Sequence, residues 1–98
     1  MNEFFKGDIV EFNNDFFQTS SNIIGDEESI PVSVIVFIKN HYRGRPVGVV
    51  ENNADGTAVM IDIPDNKVSS MWMWKSKWFD FCKKQEIHIK QEDVIKLL

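Results

Sequence analysis

The chain has 98 residues, of which 43% are hydrophobic and 27% are charged, and its formal net charge is −4. This length and balance are typical of a globular protein and predict a single domain over residues 1–98. No apolar run approaches the roughly 20 residues of a membrane-spanning helix, and the N-terminus lacks the basic start and long apolar stretch of a signal peptide, so we expect no membrane contact.

Apolar residues alternate more often than they recur at helical spacing, which predicts mostly β-structure. A turn at Gly7-Asp8 leads into a strand over residues 9–12, and residues 16–19 are expected to pair back against it. Residues 20–30 are polar and predict an exposed loop. The strongest predicted strand covers residues 32–38, where an apolar side chain at nearly every position indicates burial on both faces.

A basic loop over residues 40–46 precedes a predicted strand over 47–51. Residues 52–56 read Asn-Asn-Ala-Asp-Gly and predict a hairpin turn, because these residue types tolerate left-handed backbone. The returning strand is expected over 57–63. Further along, the sequence predicts a strand over 70–74, a short helix over 76–84 with Ser76 as its N-cap, a strand over 86–89 and a closing segment over 94–98.

Two stretches resemble the small β-barrels of the KOW and Tudor type. Residues 5–12 read FKGDIVEF and resemble the G-D-x-V opening strand. Residues 44–51, GRPVGVVE, with the turn and strand that follow, resemble the G-x-x-G-x-V strand and hairpin, in which a glycine such as Gly48 permits a sharp bend at a barrel corner. The closing residues 93–97 are similar to the terminal turn and strand of those barrels.

Together with the predicted elements, the resemblance implies a mostly β fold. The expected architecture is a small, partly open β-barrel of five to six short strands with one short helix near residues 76–84. The family binds nucleic acid, ribosomal or polymerase components, or protein tails, and it is not a family of enzymes. The resemblance therefore implies a binding role without a cofactor.

Charge is segregated along the chain. Residues 1–28 carry seven acids and one lysine, residues 39–46 carry three cations and no acid, and residues 67–84 carry five lysines and one aspartate. If the two basic segments meet in space, they form a patch that matters more to a polyanion than the net charge does.

All three tryptophans lie within residues 71–81, together with two methionines, two phenylalanines and two lysines. Aromatic rings beside lysines can stack on bases and meet phosphates, and the same residue types are hot spots in protein interfaces. The alternative is core packing, for which Trp78 and Phe81 are the better candidates. The candidate partner-binding residues combine this segment with the basic loop and are Trp72, Trp74, Lys75, Lys77, Tyr42, Arg43 and Arg45.

No catalytic, metal or cofactor site is predicted. Cys82 is the single cysteine and has no flanking motif of a nucleophile, so a buried apolar thiol is the better interpretation. One cysteine and two distant histidines offer no metal-ligand spacing. A chain without an intrachain disulfide suits a reducing compartment, so we expect a cytoplasmic location, the host cytoplasm if the protein is viral.

The composition favours a non-enzymatic module that binds a protein, because the acidic net charge opposes broad affinity for nucleic acid. Abundant Lys, Ile and Asn and only two alanines indicate an AT-rich genome, which suits an accessory protein of a phage or a low-GC bacterium. The first alternative is a nucleic-acid-binding β-barrel that uses the Trp/Lys segment and the Arg43/Arg45 loop. The second is an acidic mimic of DNA that inhibits a DNA-binding protein.

Overall fold

The structure, a computed structural model, describes residues 3–64 and 71–82. Along the chain it contains nine regular elements in that range: β1 (Ile9–Phe12), α1 (Asn14–Gln18), α2 (Ser21–Glu28), α3 (Val32–His41), β2 (Val47–Asn52), β3 (Ala58–Asp62), β4 (Trp74–Lys75), one turn of 3₁₀ helix (Ser76–Trp78) and β5 (Phe79–Phe81). The elements predicted at 86–89 and 94–98 lie outside the described residues.

The five strands form one antiparallel sheet in the order β4-β3-β2-β1-β5. Val10 pairs with Val47 of β2 on one side and with Phe81 of β5 on the other, and Val49 of β2 pairs with Ile61 of β3. The coarser prediction of a mostly β fold is confirmed, and the structure shows it as a small five-stranded antiparallel sheet. Within the described residues β4 and β5 stand at opposite edges and the sheet is not closed, so the barrel is not confirmed.

Two short helices, α1 and α2, occupy residues for which a strand and a loop were predicted. The side chain of Asn13 accepts a hydrogen bond from the Phe16 N–H at 3.1 Å, and the hydroxyl of Ser20 accepts one from the Asn22 N–H at 3.2 Å. Both contacts are N-caps, which satisfy backbone donors that a helix start leaves unpaired. The strand over 16–19 is therefore wrong, and the exposed loop over 20–30 is replaced by a helix through Glu28.

The strand predicted over residues 32–38 is also wrong, because this run belongs to the ten-residue helix α3. β-branched residues favour strands only weakly, and packing overrides that preference. A continuous apolar run fits a buried helix as well as a buried strand. One side of α3 faces the core at helical spacing and presents the buried residues Val34, Ile35, Ile38 and, at its end, Tyr42.

Helix α2 packs closely on α3 at Gly25. A Cβ atom at this position would lie 3.0 Å from the Ile30 carbonyl oxygen and 3.1 Å from a methyl group of Val32. Only a residue without a side chain allows the two helices this approach without a shift. The helical hairpin then covers one face of the sheet.

The core is aromatic and centres on Phe12 of β1. Its ring lies 4.4 Å from the ring of Phe16, 4.6 Å from that of Phe79 and 5.5 Å from that of Trp74, measured between centroids. Aromatic pairs at such distances in tilted or edge-to-face geometry add about 0.5–1.5 kcal/mol each beyond the buried area. This cluster joins α1 to strands from the middle and both edges of the sheet.

The tip of the β2–β3 hairpin is a junction for two distant segments. The Gly56 carbonyl accepts the Phe4 N–H at 2.9 Å and the Ser76 hydroxyl at 2.7 Å, and the Ser76 N–H donates to the Thr57 carbonyl at 2.8 Å. Ser76 is thus committed to the hairpin and does not cap a helix. The helix predicted over 76–84 is therefore limited to the 3₁₀ turn, and Phe79–Phe81 pairs with β1 instead; residues 83–84 lie outside the described residues.

We expect Gly56→Ala to lower the free energy of unfolding by at least about 1 kcal/mol more than Gly7→Ala does. Both glycines have positive φ, +75° and +98°, so alanine strains the backbone at each. Only at Gly56 would the new Cβ also lie 2.9 Å from a backbone oxygen, that of Phe4, and overpacking of this kind costs about 1–3 kcal/mol. Urea denaturation followed by tryptophan fluorescence measures both losses, and equal losses would contradict the junction.

Candidate partner-binding surface

The tryptophans lie in three different environments. Trp74 is fully buried in the aromatic core, Trp78 is 4% exposed, and Trp72 is half-buried and packs against the core. Strand residues alternate between the two faces of a sheet, and Trp74 points to the helix-covered face while Lys75 points away from it. The prediction that Trp74 contacts a partner conflicts with this burial, whereas Trp72 keeps part of its surface in solvent.

Phe81 was predicted in the core, but its side chain is 57% exposed. It ends the edge strand β5, where the ring of Phe4 contacts its ring edge-on at a centroid distance of 4.9 Å. The helical spacing that grouped it with Trp78 does not apply, since Phe79–Phe81 is extended.

Lys75 and Lys77 bind an acid of the same chain. The ammonium group of Lys75 lies 3.1 Å from a carboxylate oxygen of Glu27, and the ammonium group of Lys77 pairs with the same oxygen. These hydrogen bonds, that of Lys77 first and that of Lys75 second, hold the pKa of the Glu27 carboxyl below its ordinary value. The two lysines are about half-exposed, with side-chain exposures of 47% and 51%.

The carboxylate of Glu28, the next residue, binds the same segment. It accepts the backbone N–H of Lys75 at 3.2 Å and the indole N–H of Trp78. Three acids, Asp26, Glu27 and Glu28, fill the last turn of α2, where the helix dipole favours cations. Lys75 and Lys77 supply cations there, so these acids and lysines are partly paired within the molecule.

The basic loop contributes two arginines with aromatic partners. The Arg43 guanidinium lies over the ring of Phe17 at 4.0 Å, and that of Arg45 lies over the ring of Tyr42 at 4.4 Å. Arg45 also donates to the His41 carbonyl at 3.1 Å. Tyr42 itself is 1% exposed, because it ends α3 on the core side; its ring supports Arg45 from below, which corrects the prediction that Tyr42 contacts a partner.

Lys39 stands beside Arg43 on the same surface. Its ammonium group donates to the Thr19 carbonyl and lies 5.8 Å from the ring centroid of Phe16. Partial burial lowers the pKa of the Lys39 amine, and the positive charge of Arg43 lowers it further. Phe17, Lys39, Arg43 and Arg45 form what we call the basic-aromatic surface.

The three cations of the basic-aromatic surface lie in a stretch of sequence without acids, since residues 29–50 contain neither Asp nor Glu. Lys6 pairs with Glu51 at 3.7 Å, and Lys75 and Lys77 pair with Glu27. Within the described residues, by contrast, neither Lys39 nor Arg43 forms an ion pair with a carboxylate. An external anion is therefore the natural counter-charge for these two groups.

Other sites offer less chemistry. An open polar cavity of about 220 Å³ is lined by Asn13, Asn14, Asp15 and Asp80. Cys82 is buried, and across residues 3–64 and 71–82 no three His, Cys, Asp or Glu side chains are grouped so that they could hold a metal ion. In the same ranges no helix has both the length and the apolar character needed to cross a bilayer.

Sequence reasoning missed Phe17 because residues 16–19 were assigned to a strand. The signal was Asn13 followed by Asn14-Asp15, a typical helix start, which would have placed Phe17 on a helix. It also missed Glu27 and Glu28 as the internal partners of the lysines. Their separation of about 50 residues along the chain leaves no local pattern to detect.

Comparison with protein-family models, with curated protein sequences and with solved structures finds no match to this chain. The resemblance to KOW and Tudor barrels accordingly stays a prediction. The geometry of the basic-aromatic surface is therefore the basis for a proposed function.

A double-mutant cycle tests the anchoring of Trp78. We expect Trp78→Phe and Glu28→Gln to be non-additive by about 1–2 kcal/mol, because a hydrogen bond to a charged group contributes about 1.5–3 kcal/mol. Trp74→Phe is the matched control, since its indole N–H has no hydrogen-bond partner in the described part of the chain. Chemical denaturation should give additive losses, within about 0.5 kcal/mol, when Glu28→Gln is combined with Trp74→Phe; coupling of equal size in both cycles would contradict the contact.

The Glu27 ion pairs should make stability depend on pH. Because the folded-state pKa lies below the unfolded one, the ionised carboxylate contributes its full stability above the ordinary Glu pKa of about 4.3. That contribution is lost as the pH falls through the lowered folded-state value. Glu27→Gln should lose less than about 1 kcal/mol at neutral pH, since the lysines are half-exposed, and should match the wild type in strong acid.

The control for this measurement is Asp26→Asn, in the same helical turn but outside these ion pairs. Thermal or urea unfolding at several pH values separates the two variants. If Glu27→Gln and the wild type keep the same stability difference at every pH, the ion pairs do not contribute.

Proposed function

We propose that this protein is a non-enzymatic binding module that docks a protein partner on the basic-aromatic surface. The observation that carries the proposal is the Arg43 guanidinium, which is stacked on Phe17 at 4.0 Å and has no carboxylate partner among the described residues. Arginine and aromatic residues dominate the binding energy of protein interfaces. A planar guanidinium held against a ring is also partly ordered before binding, which reduces the entropy lost on association.

Apolar surface lies next to these cations. Val36 precedes Lys39 by three residues on α3, so the two side chains are neighbours on the helix, and Val36 is 41% exposed. Phe17 is half-buried and lies beside the Arg43 guanidinium. Charge at the rim and apolar area beside it are typical of protein interfaces.

The buried tryptophans of the segment over residues 71–78 pack against Phe16, the residue before Phe17. The lysines of this segment are matched by Glu27, and two of its three tryptophans are buried. Trp72, Lys75 and Lys77 remain partly exposed, and we propose that they add a second, smaller area of contact with the partner. We also propose that the fold is a partly open barrel. We further propose that the protein is an accessory protein of a phage or a low-GC bacterium and that it acts in the cytoplasm.

Nucleic-acid binding is the alternative, because Arg43 and Lys39 can also meet phosphates and Phe17 can stack on a base. A protein that contacts many phosphates needs many cations, and Lys75 and Lys77 already share an internal anionic partner, Glu27. This pairing favours a protein partner. The same contact also weakens the DNA-mimic proposal, since Glu27 and Glu28 are engaged internally.

A site-specific crosslink tests the protein-binding proposal. We expect a photoreactive benzoylphenylalanine at Asn40, an exposed position on α3 near Lys39 and Arg43, to trap a protein in cells of the source organism or its host. Adding Arg43→Gln should reduce the yield about tenfold or more, the ratio that corresponds to a loss of 1.4 kcal/mol. Mass spectrometry after nuclease digestion identifies the product.

The matched control places the same photoreactive residue at Asp62, an exposed position at the end of β3. Identical products from both positions would mean non-specific contact and would reject the proposed surface. A product that disappears on nuclease digestion would support the nucleic-acid alternative instead.

A further inference from the structure

Taking the proposed protein-binding function as its premise, we infer that the partner presents an acidic peptide segment, in which a carboxylate binds the outer edge of Arg43 and a neighbouring apolar side chain packs beside Phe17 and Val36. The inference names the chemistry of the partner, which the proposed function leaves open. Three features of the basic-aromatic surface support an acidic partner: the contact of Arg43 with the Phe17 ring, the neighbouring amine of Lys39, and the small number of cations.

The orientation of Arg43 suits a carboxylate. The guanidinium carbon of Arg43 lies over the Phe17 ring, 4.0 Å from its centroid, so the ring covers that side of the group and leaves the N–H groups for an anion on the outer side. Two parallel N–H groups match the two oxygens of a carboxylate, which gives a bidentate, charge-assisted pair. Because the ring at 4.0 Å covers one face of the guanidinium, its outer edge is the natural binding site for the anion.

Lys39 places a second positive charge next to this position. Its ammonium group has three donors, of which the Thr19 carbonyl takes one. Partial burial lowers the pKa of the Lys39 amine, and the positive charge of Arg43 lowers it further. The second effect means that the two positive charges repel each other. A bound carboxylate between them would relieve this repulsion and strengthen binding.

The size of the patch favours a short acidic peptide over a long polyanion. The basic-aromatic surface contains three cations, whereas the chain as a whole carries −4. A long polyanion would extend beyond these cations over a molecule of negative net charge, which opposes its binding. A peptide with one or two carboxylates needs only the local cations, and its apolar side chains can use the exposed area of Val36 and the ring of Phe17.

Fluorescence anisotropy with a labelled octapeptide that contains two Glu residues, each next to a Leu, in a Gly/Ser background tests the inference. Peptides of the same length with Gln or Lys in place of Glu, and an oligothymidine of eight nucleotides, are the comparison probes. We expect the Glu peptide to bind at least about tenfold more tightly than the Gln peptide, and Arg43→Gln to remove about the same factor, since hydrogen bonds to charged groups contribute on that scale.

Two further variants separate charge from geometry. Arg43→Lys keeps the charge but not the planar fork, so we expect an intermediate affinity, whereas Arg43→Glu should reverse the preference toward the Lys peptide. Lys6→Gln is the matched control, since it removes an exposed cation elsewhere that is paired with Glu51, and it should change affinity less than about twofold. Circular dichroism and thermal unfolding establish that each variant folds.

Equal binding of the Glu and Gln peptides would overturn the inference, as would a Glu peptide that is insensitive to Arg43→Gln in a folded variant. Either result leaves the proposed function standing if the Asn40 crosslink still traps a protein, because an uncharged partner segment would then occupy the same surface. Tighter binding of the oligothymidine than of the Glu peptide, lost with Arg43→Gln, would replace both proposals with nucleic-acid recognition.

Discussion

The contact between the end of α2 and residues 75–78 joins the helical hairpin to strand β4 and the 3₁₀ turn that follows it. Glu27 and Glu28 receive two ammonium groups, a backbone N–H and an indole N–H from that short segment. An edge strand of two residues has little pairing energy of its own. Since β4 is that short, these hydrogen bonds position it together with the bonds of Ser76 to the β2–β3 hairpin and the packing of Trp74 in the aromatic core.

The basic-aromatic surface follows from the same arrangement. Among the described residues, Lys75 and Lys77 contact Glu27, whereas Lys39 and Arg43, near the end of α3, have no carboxylate partner. There Arg43 and Lys39 rest on Phe17 and Phe16, which belong to the short helix α1. The core ring of Phe16 and the surface ring of Phe17 are consecutive residues, so packing of the core directly positions the groups that we propose to bind.

Sequence reasoning located the strands β1, β2 and β3 and the hairpin between the last two, because alternation and an Asn/Asp/Gly turn are local signals. It failed where tertiary packing decides. Residues 32–38 have the composition of a strand, yet helix α3 buries one side of them. Arg43 and Arg45 were identified as candidates from composition. The ring partner of Arg43, Phe17, and the acidic partner of Lys75 and Lys77, Glu27, depend on contacts between segments far apart in sequence.

The sequence separation of these contacts also has a consequence for the order of folding. The β2–β3 hairpin and the α2–α3 pair each join neighbouring segments, whereas the bond from Lys75 to Glu28 spans 47 residues and the bond from Trp78 to Glu28 spans 50. The entropy lost on closing a loop grows with its length, and distant contacts slow folding. We therefore expect the local hairpins to form early and the edge strand to dock last. The same edge is expected to detach first when the native protein opens transiently.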